Sequence, residues 1–521
     1  MNAPLKATLP DQNNPEQDGA TVRDVIIVGT GFSGICLAIK LREAGVTDIL
    51  MLEKADDFGG TWRDNTYPGC ACDVQSHLYS YSFEGNPNWS KSYAGWSEIQ
   101  DYILHCVKKY QLRPLARFGH SVAGAHFNEV SGLWHITTDK GESLVSRFFV
   151  MATGPLHVPA IPSIAGLNSF KGRVFHSARW EHDFNLTGKR VASIGTGGSA
   201  IQYVPEIAPQ VSQLKVFQRT PAWVLPRHER AYTALEKNLF AKLPLLRKLH
   251  RLWIYCSNEL RLLPIRQPLL ARVAEAMGKR HINKQIADPK IASKMTPDYT
   301  IGCKRILISN KYYPAFNRDN VELVTEAIKK VTETGIETAD GRLHEVDAII
   351  LGTGFVIDPR DYMKNVSITG KGGISLLEQW KDGPACYKGL TVENFPNFFQ
   401  MTGPNSGLGH NSIIYMIESQ VSYIVDGVTK LKKGNYKYLD VKPQVLQDFN
   451  DHVQVRMQNT VWTSGCVSWY QQKDGRNIAI WPGTTFAYRW QTRHLNLADY
   501  EVVVNDGADT AVVLDNKVAF S

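Results

Sequence analysis

Two short glycine runs carry the first chemistry legible in this chain. One is Gly29-Thr30-Gly31-Phe32-Ser33-Gly34; the other is Gly195-Thr196-Gly197-Gly198-Ser199-Ala200. Each fits the turn in which glycines let the backbone approach a pyrophosphate at a helix N-terminus. The two differ farther along. Glu53 stands about 20 residues beyond the start of the first turn, where an acid accepts hydrogen bonds from a ribose. After the second, the comparable place reads Gln218-Arg219-Thr220 and holds no acid. An arginine there can pair a 2′-phosphate through charge-assisted hydrogen bonds. The chain therefore has two nucleotide sites of different chemistry: the acid-terminated unit suits FAD and the arginine-terminated unit suits NADPH.

The elements that must hold these turns are visible around them. Val25–Val28 is a β-branched run suited to a buried parallel strand, and helix-compatible sequence follows the glycines to about Ala44. Asp48 to Leu52 supplies the next strand. Arg190–Ile194 and Leu214–Phe217 flank the second turn in the same way, with a helical segment that includes Gln202 between them. This pattern predicts an α/β protein with two Rossmann-like dinucleotide-binding domains and a helical insertion in the second. Ala152-Thr153-Gly154 and Gly352-Thr353-Gly354 resemble the sharp turns at which two-nucleotide flavoproteins cross between domains. The expected division is a loose tail at 1–22, a FAD domain at 23–155 and an NADP domain at 156–345. That second domain contains a helical insertion at 228–300, and 346–521 completes the FAD domain with a C-terminal closing loop.

Composition agrees with a large soluble globular protein. The chain has 521 residues, 43% hydrophobic and 21% charged, which is too long for one ordinary domain. Its net charge of +8 suits anionic ligands, and no zinc-finger spacing or basic-aromatic stripe points to nucleic acid. The eight cysteines are scattered, and Cys70-Ala71-Cys72 matches neither a zinc knuckle nor a redox dithiol. No metal site and free thiols in a reducing cytoplasm are the expectation. No apolar run of about 18 residues is present to cross a membrane. In 228–300, Leu235, Leu239, Leu243, Leu246, Leu249 and Trp253 recur at helical spacing. Core-facing helices give that pattern more often than a membrane-surface segment over 232–263, so a packed helical subdomain is expected.

Two longer motifs are more specific. The first is Phe170-x-Gly172-x-x-x-His176-x-x-x-Trp180; the second runs from Gly59 to Asp73 and fixes Gly60, Trp62, Tyr67, Pro68, Gly69 and Asp73. Together with the two turns they resemble the Baeyer–Villiger monooxygenases, flavoenzymes that insert oxygen beside a ketone carbonyl. The resemblance spans the chain beyond its tail. It departs at Glu181, where the family usually has Pro or Asp.

The resemblance implies a reaction in which NADPH reduces FAD, O2 adds to the reduced ring, and an anionic flavin peroxide converts a ketone to an ester or lactone. It implies that Thr61 and Trp62 cover the flavin, that Tyr79 and Val122 make further contacts, and that Trp469 belongs to a segment over the nicotinamide. It assigns Arg305 as the active-site cation, Lys304 as its NADPH-binding neighbour, and Asp73 as the carboxylate that orients Arg305. A fixed guanidinium would stabilise charge on the peroxide and on the tetrahedral adduct. A helix from about Ser412 would point its positive end at the flavin ring. The rivals are a flavin monooxygenase that oxygenates N or S, a disulfide reductase, and a non-catalytic flavin-binding module. Trp180 and Asp73 count against the first, the cysteine spacing against the second, and a site tuned to 2′-phosphate against the third.

Overall fold

The computed structural model describes residues 21–505 except 459, 466, 467 and 473. Its first sheet is built on β1 (Val22–Val28), the apolar run before the first glycine turn. Val25, Ile26 and Ile27 are fully buried, as expected of a parallel strand covered on both faces. β1 lies between β2 (Ile49–Glu53) and β6 (Ser143–Met151), both parallel to it, and β3 (Ala116–Phe118) extends the β2 edge.

β6 does double duty. Its first half pairs antiparallel with β5 (Leu133–Thr138), which pairs with β4 (Val122–Asn128); its second half lies between β1 and the strand Phe398–Gln400. Phe148–Met151, which in sequence reads as part of a small accessory sheet, is thus central to the main one. Strands Ser367–Thr369 and Phe398–Gln400, from far along the chain, both join this first sheet.

The second sheet is parallel throughout, in the order Val321–Val324, β9 (Gln213–Phe217), β8 (Arg190–Ile194), Ala348–Leu351 and β7 (Arg173–His176). Ala348–Leu351 lies between β8 and β7, so the second sheet runs one strand beyond the expected boundary at 345. An apolar strand carries no mark of the sheet it will join, which is why that boundary falls short. Tyr312-Tyr313-Pro314, strand-like in sequence, forms a short helix, Tyr312–Ala315, and the strand begins at Val321.

The two crossing segments are fastened to each other. Pro159 and Phe355 form an antiparallel bridge, Ala160 N–H donates to the Gly354 carbonyl at 2.9 Å, and Val356 N–H donates to the Val158 carbonyl at 2.9 Å. The Thr353 hydroxyl adds a bond to the Ala160 carbonyl at 2.6 Å. The linker motif sits beside this ribbon. A Cβ on Gly172 would lie 2.5 Å from the Asp347 carbonyl oxygen, and Trp180 packs edge-on to Phe175. Glu181, where the motif departs, pairs with Arg173.

The helical insertion is zipped at its base by a parallel pair, Val224–Leu225 with Leu307–Ile308. Helices Ala234–Lys242 and Pro244–Glu259 follow the predicted periodicity. However, Leu235, Leu239, Leu243, Leu246, Leu249 and Trp253 face outward, where a buried face was expected. The inward face is made by Phe240, His250 and Ile254, and Phe240 and His250 pack on His77. No helix among the described residues is long and apolar enough to cross a membrane. Cys36, Cys70, Cys72, Cys106, Cys256 and Cys386 are free, whereas Cys303 is disulfide-bonded, contrary to the expectation of free thiols throughout.

Candidate active site

The first glycine turn continues directly from β1. Gly29 has φ +105°, and a Cβ there would lie 2.6 Å from the Ala152 carbonyl oxygen; one on Gly34 would lie 2.0 Å from the Gly29 carbonyl oxygen. Those two glycines are required by the protein's own packing. Gly31 is not: its nearest neighbour would be the Gly60 Cα at 3.8 Å, an ordinary contact. A glycine with room for a side chain, ahead of helix Phe32–Glu43 and without an acid in its first turn, fits a backbone kept clear for an anionic ligand. Gly60, with φ +54°, faces it. Phe32 and Ser33 open that helix and are buried.

Glu53 ends β2 and is 5% exposed. One of its oxygens accepts from the Thr30 N–H (3.1 Å) and hydroxyl (2.8 Å); the other accepts from Ala55 N–H (3.0 Å). The acid is thus locked against the turn by Thr30, a residue the motif leaves unspecified. Oε2 is filled by its two bonds, while Oε1, 3.5 Å from the Arg63 Nη1, keeps one acceptor site for a ribose. Trp62 and Tyr79 come together: the indole N–H donates to the Tyr79 hydroxyl at 3.1 Å, and Phe32 packs edge-on to Tyr79. Thr61 starts the short helix Thr61–Asp64 and is exposed. Val122 begins β4, buried in the cluster with Val28 and Leu52.

The second turn repeats the geometry with different surroundings. Gly195 has φ +109°, and its Cβ would lie 2.3 Å from the Gly352 carbonyl oxygen. Gly197 would meet nothing within 4 Å, and Gly198 only a Leu307 methyl at 3.9 Å. Ser199 stands just ahead of helix Ala200–Ile207, and the Thr196 hydroxyl bonds the Thr220 carbonyl at 3.1 Å. A cleft of about 610 Å³ opens beside this turn, lined by Arg219, Thr220, Lys294, Thr296, Tyr299 and Lys304 among others. Burial, and then the nearby Arg219 charge, push the Lys304 ammonium below its ordinary pKa. Three cations and one carboxylate, Asp298, line the cleft, and the excess of positive charge fits a phosphate. Lys294 had no motif to announce it, since it lies on a helix of the insertion.

Lys304 faces that cleft, while its neighbour Arg305 turns to the first unit. The Arg305 Nη2 donates to the Asp73 Oδ2 at 2.5 Å, closing 232 residues of separation. Burial pushes the Asp73 carboxyl up, but the charge and hydrogen bond of Arg305, with Arg227, more than offset this. The carboxyl ends below its ordinary range. The Asp73 carboxylate raises the guanidinium pKa in turn, against burial. Both groups are thus held charged, yet 45% of the arginine side chain and 30% of the aspartate's stay accessible. Arg227, unpredicted, braces the loop by donating to the Cys72 carbonyl at 3.2 Å and the Tyr93 carbonyl at 3.4 Å.

Two expectations meet a different geometry. Gln202, expected at the cofactor, spends its amide on the loop that carries Asp73. Its oxygen accepts from the Tyr67 hydroxyl (2.9 Å) and Ala71 N–H (3.3 Å), and its nitrogen donates to the Ala71 carbonyl (2.9 Å). Trp469 is half exposed and packs edge-on to Tyr470; Tyr470 is the buried residue whose hydroxyl feels both Arg305 and Asp73. Burial, with Asp73 adding to it, pushes the Tyr470 hydroxyl up to about 12 against the pull of Arg305. The helix Ile413–Lys433 begins at Ser412, which caps Ile414 N–H, and has no acid in its first turn. The segment expected to be a closing loop is stitched beside it: Asn405 N–H bonds the Ile478 carbonyl and Trp481 N–H the Gly407 carbonyl, each at 2.8 Å.

Residues 22–378 match the family described as flavin-binding monooxygenase-like. The chain is 45% identical to a Baeyer–Villiger monooxygenase of Pseudomonas aeruginosa, over 92% of this chain and 91% of that one. The chain belongs to this family. A second Baeyer–Villiger monooxygenase, from Streptomyces coelicolor, is also 45% identical, over 92% of both chains. Among solved structures, the fold matches a steroid monooxygenase bound to NADP with a TM-score of 0.82 at 31% identity, over 93% of this chain and 100% of that one. It also matches the cyclohexanone monooxygenase of Rhodococcus sp. Phi1 bound to NADP+, with a TM-score of 0.84 at 29% identity and the same coverage. As a Baeyer–Villiger monooxygenase this chain is an enzyme, and the rivals without oxygenation chemistry are set aside.

Proposed function

We propose that this enzyme converts a ketone to an ester or lactone with O2 and NADPH, with FAD at the Gly31 turn and NADPH at the Gly197 turn. The observation that carries this reading is the Arg305–Asp73 pair, which joins a loop of the first unit to the Lys304 cleft of the second. Bound FAD, once reduced by NADPH, supplies the electrons that activate O2. The chain's own residues do the rest. Gly31 and Gly60 leave space for the flavin pyrophosphate, Glu53 accepts from its ribose, and Trp62 with Tyr79 walls the ring side. Arg219, Lys294 and Lys304 hold the NADPH phosphates. Arg305 offers a fixed, permanently charged donor to the negative charge that grows on the ketone oxygen during attack. Asp73 keeps that guanidinium aimed. NADPH chemistry and six free thiols among the described residues support a cytoplasmic setting, and the Cys303 disulfide counts against it.

Arg305→Ala tests the reading. The variant should still bind FAD and oxidise NADPH slowly while releasing hydrogen peroxide, and ester formation should fall at least about 1,000-fold. Arg305→Lys should restore little, because an ammonium lacks the planar fork. The measurement is ester yield per NADPH consumed, by gas chromatography, on any ketone the wild type accepts. Wild-type yield in Arg305→Ala would sink the proposal.

A further inference from the structure

The insertion turns to solvent an apolar face that includes none of the candidate-site residues. On helix Pro244–Glu259, Leu245, Leu249 and Leu252 follow one another at four- and three-residue spacing, with 69%, 53% and 54% of each exposed. Trp253, 65% exposed, stands next to that stripe. The preceding helix, Ala234–Lys242, adds Leu235 and Leu239, and Leu243 links the two. Isolated exposed leucines are ordinary, but a continuous row on paired helices marks an interaction surface. The opposite side of the same helix explains why the row points outward. Ile254 and Asn258 are buried there, and Arg251 donates to the His77 and Leu78 carbonyls.

Charge identifies what the face fits. From Lys237 to Asn258 the sequence holds five basic residues and no acid. Of these, Lys242 and Lys248 are exposed beside the leucines. The flanking acids are engaged elsewhere: Glu236 is paired with Arg230, and Glu259 accepts from Asn411 and the Thr485 hydroxyl. A second copy docked by twofold symmetry would bring the same acid-free stretch to both sides and offer these lysines no opposite charge. Leucine and tryptophan framed by lysine, with no free acid, is the pattern of a helix lying in a lipid interface. We propose that the outer face of Ala234–Lys242 and Pro244–Glu259 docks the enzyme peripherally on an anionic lipid surface, through its leucines and Trp253 inserted among acyl chains and Lys242 and Lys248 at the headgroups.

The test is co-sedimentation of the full-length holoenzyme with vesicles of phosphatidylcholine alone or mixed with phosphatidylglycerol, at about 0.1 M salt. The wild type should pellet with the anionic vesicles and stay largely in solution with the neutral ones. Leu245→Ser/Leu249→Ser/Leu252→Ser should lower the partition coefficient at least about 100-fold. Lys242→Gln/Lys248→Gln should lower it about tenfold on anionic vesicles and abolish the preference for them. Both variants should turn over a water-soluble ketone at the wild-type rate, which shows that they are folded. Trp253→Phe should remove fluorescence quenching by brominated acyl chains. The proposal is overturned if the wild type ignores anionic vesicles or if both variants bind as it does. It is equally overturned if sedimentation velocity shows a dimer that the leucine variant dissociates, which would make the occupant a second copy.

Discussion

The two nucleotide units share a turn and differ in everything that touches the ligand's far end. Gly29 and Gly195 adopt nearly the same φ, and each is wedged under a carbonyl of a crossing segment, Ala152 or Gly352. Gly31 and Gly197 are each left free of neighbouring atoms closer than ordinary contact. Beyond that point the first unit closes: Glu53 is buried and bonded to the turn through Thr30. The second unit stays open, with Arg219 exposed at the edge of a wide cationic cleft. On the proposed assignment, the turn sets where a pyrophosphate goes, while the end of the second strand sets how permanently the nucleotide stays. A closed, acid-locked site suits a resident cofactor, and an open cationic one suits a coenzyme that exchanges every cycle.

The strongest test of this contrast is to put the same side chain in both turns. Gly31→Val should purify without flavin and lose all activity, since the added carbons occupy the ligand's space without disturbing the fold. Gly197→Val should stay yellow and lose NADPH-driven flavin reduction by at least about 100-fold. Flavin absorbance and stopped-flow reduction distinguish the two; full flavin content in Gly31→Val would overturn the assignment of the first turn.

Acid should load both units next, because burial lowers His77 of the first to about 3 and His176 of the second to about 4. His176, on the edge strand of the second sheet, is 4% exposed, and burial lowers its pKa to about 4. Between about pH 6.5 and 4 the unfolded chain takes up a proton there that the folded one refuses, so stability falls with pH by up to about 3 kcal/mol. The loss is complete near pH 4. His176→Asn should flatten the slope of melting temperature against pH in that window, and an unchanged slope would remove His176 as its cause.

A smaller effect probes the open end of the second unit. Arg219→Ala should raise KM for NADPH about tenfold to 100-fold, from about 1.5–3 kcal/mol of charged hydrogen bonding, and leave NADH nearly unchanged. The loss belongs in KM because the phosphate is remote from the hydride. Equal losses with both coenzymes would contradict the phosphate role.

The sequence made both turns, Glu53, Arg219 and the two long motifs legible because each depends on local backbone geometry or on a fixed spacing. The Arg305–Asp73 contact came only from family resemblance, since nothing local announces a bond across 232 residues. Gln202 lay in the turn's own motif, yet its amide turned to Tyr67 and Ala71 because the Gly69 backbone approaches the helix closely enough to be held. Arg227 and Lys294 reach the site from the insertion, where helical periodicity describes a face but not which face is inward. The same limit explains the leucine row: spacing alone gives amphipathicity, and the structure decides which side meets solvent.

The paired crossing segments, 158–160 against 354–356, have a mechanical consequence. A single connecting strand would let the two units twist, stretch and bend independently. Two antiparallel segments hydrogen-bonded to each other instead hold both crossings at one place. A swing of the second unit should pivot there, and spin-label distances across the units that trace a single arc, not a cloud, would show it. The gap across which hydride is delivered should then widen and narrow about that pivot, as the throw of a door is set by its hinge.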